Sequence, residues 1–144
     1  MKKQIIQFVL LISLVTIIGC GGGGRDSNAL SNITGSWNGY ITFRLVAQPS
    51  SLLTYQLAAN FIQTGSVVTG SYDILNGGSL VNTGNFMSTT RSGDVLSGLM
   101  DDGGADFDTP LDFIASVESN SITGQGAVTI NGDDTTVQFT LNLV

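Results

Sequence analysis

The side chains able to carry chemistry in this sequence are few, and nearly all of them are carboxylates. Among 144 residues there is no histidine and a single cysteine, Cys20. The lysines are Lys2 and Lys3, and the arginines are Arg25, Arg44 and Arg91. Beyond residue 20, Ser-His-Asp and Cys-His pairs therefore lack their base, and Schiff-base chemistry lacks its amine. Zinc or copper sites built on His and Cys lack their ligands. Acid–base work falls to carboxylates, gathered as Asp101, Asp102, Asp106, Asp108 and Asp112 in and beside "DDGGADFDT". Paired carboxylates serve glycoside hydrolysis when a cleft raises one pKa, whereas a glycine-rich loop is normally wet. The same oxygens suit a hard cation, so Asp101, Asp102, Asp106 and Asp108 form a candidate weak calcium site beside the plainer reading of a solvated acidic loop. Their spacing departs from the EF-hand loop. Gly21 to Gly24 precede no strand-to-helix unit and so make no phosphate loop. These residues predict no catalytic function and no cofactor.

The elements that position these groups begin after an address. Lys2 and Lys3, the uncharged run Ile5 to Ile18 and the small residue Gly19 form the basic, apolar and cleavage regions of a secretory signal. The run, about 14 residues, is short of the roughly 20 that cross a bilayer as a helix. Ile17-Ile18-Gly19-Cys20 resembles the lipobox of bacterial lipoproteins. That resemblance implies cleavage before Cys20, a diacylglycerol on its thiol and an acyl chain such as palmitate on its amine. It also implies, from Gly21, an outer-membrane address where the organism has an outer membrane. The alternatives are a chance cysteine after an ordinary signal and a thiol paired with another molecule. Two or more acyl chains anchor stably where one does not. The chain then divides into a signal peptide (1–19), a lipidated cysteine with a Gly-rich tether (20–32) and a folded domain (33–144). Twelve tether residues reach about 20 Å by coil statistics.

After residue 19 three arginines face 11 acidic side chains, a balance of −8. Such a surface repels phosphate backbones and argues against a nucleic-acid partner. Apolar-Thr/Ser-Gly recurs at Ile33-Thr34-Gly35, Val68-Thr69-Gly70, Leu96-Ser97-Gly98 and Ile122-Thr123-Gly124. Each copy opens a segment alternating with period two, and a second such segment precedes the next copy. The pattern predicts an all-β fold of eight antiparallel strands in sequential hairpins, roughly 33–46, 52–62, 67–75, 84–90, 95–101, 110–117, 121–130 and 135–143. Period two this regular means one dry and one wet face, and closing the sheet removes two exposed edges. An up-and-down barrel is favoured over a two-sheet sandwich. A lipid-spanning barrel would carry its apolar residues outward and is disfavoured. Eight of the ten aromatics beyond residue 20 are assigned inward, with Tyr40 outward and Phe107 left with the loop. Strand four has no clear parity around Phe86 and Ser88.

"GSWNGYITF" and the "VTGSY" hairpin restart resemble avidin-like and lipocalin-like small barrels, which hold apolar ligands in the barrel mouth. With Trp37 the lone tryptophan, the aromatic walls of a biotin site are missing. Two functions stay open. One is a lipid-anchored, non-enzymatic interaction or structural module of the cell envelope, with outward Val95, Leu99 and Ile114 as a small partner patch. The other is a carrier whose Trp37, Tyr55, Tyr72 and Phe113 line a cavity for a small apolar molecule.

Overall fold

The computed structural model describes residues 32–144. Cys20, the signal segment and most of the tether lie outside the described residues. The strands are β1 (Gly35–Leu45), β2 (Leu52–Thr64), β3 (Val67–Asn76), β4 (Ser79–Ser92), β5 (Val95–Asp101), β6 (Leu111–Val117), β7 (Ser121–Ile130) and β8 (Asp133–Leu143). Each pairs antiparallel with the next, and β8 returns to β1 from Trp37–Leu143 to Leu45–Thr135. The sheet is a closed barrel in sequence order, which decides against the sandwich.

Alternation dictates which residues go inside. On β6, Leu111, Phe113, Ala115 and Val117 are buried while Asp112, Ile114 and Ser116 face out. On β8, Thr135, Val137, Phe139 and Leu141 are buried between exposed Thr136, Gln138 and Thr140. The dry face is thus the interior, the reverse of a lipid-embedded barrel. Each large apolar side chain taken inside stabilises the fold by roughly 1.5–3 kcal/mol. A chain of rings runs through this interior: Trp37 edge-on to Phe61 (6.4 Å between centroids), Phe61 tilted on Phe86 (4.6 Å), and Phe86 and Phe139 each edge-on to Phe113 (6.0 and 5.7 Å).

Three expectations are corrected. β4 and β8 start earlier than their patterns indicate, because the turns before them use only two residues each. Gly77 and Gly78 have φ of 58° and 85°, Asn131 and Gly132 of 52° and 81°, the paired positive angles of a type I′ hairpin. Residues 79–83 and 133–134 therefore join the ladder. Second, the parity of β4 is obscure because it changes: Ser88 takes φ 49° at a bulge where the register with β5 shifts between Met87 and Thr90. Phe86 points in on one side of the bulge, Thr89 and Arg91 on the other. Third, Phe107 is not a loop residue in solvent. It is 4% exposed and packs on Phe43 with centroids 6.2 Å apart.

The two barrel ends differ. At one, Ile33 folds across the opening, and its carbonyl accepts the Trp37 indole N–H at 2.9 Å. The Gln63 side-chain oxygen accepts both the Ile33 amide (3.1 Å) and the buried Arg91 guanidinium (3.2 Å). That end is sealed. At the other lie segment 46–51, the turns at 77–78 and 131–132, and the acidic segment 102–110.

Candidate functional site at the open end of the barrel

The open end holds a cleft of about 360 Å³. The strand ends set its walls: Phe43 and Leu45 from β1, Leu53 and Tyr55 from β2, Ile74 from β3, Val81 and Asn82 from β4, Ile130 from β7 and Thr135 from β8. Phe107 descends from the acidic segment to complete the wall against Phe43, which also meets Tyr55 edge-on at 6.0 Å. Asp106, Asn131 and Asp133 stand at its border. The lip is greasy as well, for Leu53 and Val81 remain 52% and 47% exposed.

Asp102 folds the acidic segment over this cleft. Its Oδ2 accepts the amides of Asp106 (2.8 Å) and Phe107 (3.0 Å) and the Asn82 side-chain amine (2.7 Å), while Oδ1 accepts the Gly104 amide (2.9 Å). Partial burial pushes the Asp102 carboxyl up, but these hydrogen bonds to its ionised form outweigh burial and hold it below its ordinary value. Asp101 accepts the Gly103 amide at 3.0 Å, and Asp108 accepts the Gly132 amide at 2.6 Å, which ties the segment to the β7–β8 turn. These carboxylates are committed to loop N–H groups. The structure does not draw Asp101, Asp102, Asp106 and Asp108 into a cation cage: among the described residues, no three acidic side chains are placed to hold a metal ion.

The four aromatics expected to line one cavity are not brought together. Tyr55 borders the cleft, whereas Trp37 sits under the sealed end and Phe113 stacks within the filled interior. Tyr72 is buried against Phe86, with its hydroxyl over Gly84 and without a hydrogen-bond partner. Burial raises its phenol, and Asp102, Asp101 and Asp106 raise it further, so it stays protonated. Val95 and Ile114 are exposed as expected and border one shallow outer groove, while Leu99 is half-buried.

The alternation of the sequence does not single out Asn82. Inward parity carried back from Phe86 through Gly84 reaches it, a polar side chain aimed into an apolar barrel. It is 6% exposed. Its amine donates to Asp102 and, at 2.8 Å, to the Asp106 Oδ2, while its carbonyl oxygen is buried with no partner.

No family model matches the chain, and no curated protein matches it in sequence. Among solved structures, the crystal structure of Rv2717c from M. tuberculosis is similar, with a TM-score of 0.54 over 81% of this chain and 95% of that one. At 15% identity that likeness establishes the fold alone.

Proposed function

We propose that this chain is a lipid-anchored, non-enzymatic module of the cell envelope whose barrel binds a small apolar molecule at its open end. The anchor rests on the Ile17-Ile18-Gly19-Cys20 pattern and its flanks. The binding role is carried by one observation: apolar walls enclose a cleft of about 360 Å³ at the single end not plugged by Ile33 and Arg91. Small-molecule sites are typically concave and mostly apolar, with a few placed polar groups. The filled centre favours a shallow site near Phe43, Tyr55 and Phe107 over a deep one beside Trp37 and Phe113.

Two measurements test it. Mass spectrometry of the chain recovered from a bacterial host is expected to find a diacylglyceryl adduct on Cys20, and an unmodified thiol there defeats the anchor. NMR of the full chain in lipid nanodiscs, titrated with neutral 4-phenylbutanol, is expected to shift the signals of Phe43, Tyr55 and Phe107. Shifts centred on Trp37 and Phe113, or none at all, defeat the open-end site.

A further inference from the structure

The polar atoms of the cleft have one chemical character. Asn82 is held by two carboxylates that take both of its amine hydrogens, Asp102 at 2.7 Å and Asp106 at 2.8 Å. The reverse orientation would set its carbonyl oxygen against those carboxylates, so the network fixes which end of the amide faces away. That end is a bare acceptor, buried and unpartnered, on a side chain that borders the cleft. Asp106 and Asp133 at the border add negative charge, and the cleft-lining residues include no Lys, Arg or His. Arg44 points outward from β1 and borders a different groove.

An unsatisfied buried acceptor costs free energy until a donor reaches it. In a half-closed site, adjacent carboxylates repel an anionic head and attract a cationic one. The volume matches about a dozen waters at the ~30 Å³ that each takes in the liquid, and so a ligand of about a dozen non-hydrogen atoms. We infer that the ligand is a cationic amphiphile, an ammonium head on an apolar body of about a dozen heavy atoms, with its charge beside Asp106 and an N–H donated to Asn82 Oδ1 as the head displaces the groups that cover that oxygen. Fatty acids are the ligands this cleft rejects. The inference rests on the open-end site proposed above.

The test is calorimetric titration of the full chain in nanodiscs, with empty discs as blank, against three ligands that share one body: 4-phenylbutylamine, 4-phenylbutanol and 4-phenylbutyrate. The amine is expected to bind about ten-fold tighter than the alcohol, the acid weakest, with the amine's advantage shrinking as salt rises. Asp106→Asn keeps the shape of the side chain and should weaken the amine several-fold and the alcohol much less, narrowing the gap between them. Val81→Arg, on the exposed lip, should weaken the amine and strengthen the acid. Equal affinities for the three, or a preference for the acid, overturn the head-group inference and leave the open-end site standing. Failure of all three to bind overturns both.

Discussion

Substituting Asp102 by asparagine isolates what folds the acidic segment over the cleft. The isosteric amide keeps one acceptor oxygen and replaces the other with a donor. With its oxygen in the Oδ2 position, three bonds survive, from Asp106, Phe107 and Asn82, but lose the charge that strengthened them. Its amine then confronts the Gly104 amide, which had donated to Oδ1 at 2.9 Å. Hydrogen bonds to charged groups are worth about 1.5–3 kcal/mol against about 1 for neutral ones. Asp102 is partly solvated, so water recovers much of that difference. The expected net loss is about 2 kcal/mol, or about 8 °C in Tm for a domain of this size. Calorimetric melting of both forms across a pH series is the assay. The Asp102 carboxyl lies below its ordinary value of 3.8 in the fold, so its contribution is complete above that pH and disappears as pH falls through the lower folded value. The gap between wild type and variant should therefore close on acidification below 3.8. A Tm within about 2 °C of wild type at neutral pH, against the ~8 °C expected, or a gap unchanged into strong acid, refutes the argument that carboxylate charge organises the segment.

Gly39→Ala should cost about 3 kcal/mol, read from urea unfolding, because the added Cβ overlaps the Thr140 carbonyl oxygen across the β1–β8 seam. An unchanged midpoint contradicts so close an approach. Tyr72→Phe removes a buried hydroxyl without a partner and should be neutral or stabilising by up to about 1 kcal/mol. Above its ordinary pKa of 10.0 the phenol loses its proton in the unfolded chain while burial and the neighbouring carboxylates keep it protonated in the fold, so stability falls as pH rises past that value and the variant should resist alkaline unfolding better than wild type. A loss above about 1 kcal/mol would mean that the hydroxyl has a partner after all.

The strands were legible because an inside and an outside with period two leave a signal in every residue, as in Val137, Phe139 and Leu141 against Gln138 and Thr140. The same signal failed at β4, where one bulge residue, Ser88, moves the inward set from even to odd positions. Closure followed only indirectly, from the cost of open edges, until β1 and β8 were seen to pair. The site was the least legible part. Its contacts join Asn82 to Asp102 and Asp106, 20 and 24 residues away, and Phe107 to Phe43 across the barrel. No local pattern encodes such pairings. The acidic cluster has the residue types of a cation site, whereas its oxygens serve backbone amides that no residue type advertises.

The plug formed by Ile33 also fixes a direction. The polypeptide enters the domain at the stoppered end, and β1 carries it the whole length of the cylinder before Leu45 reaches the opposite rim. Under the proposed anchor, the tether therefore leaves the cylinder from its stoppered end, and the mouth is the end left unencumbered by it. Under the proposed binding role, a ligand would reach that mouth from the surrounding water, so its partitioning into water would limit which molecules arrive.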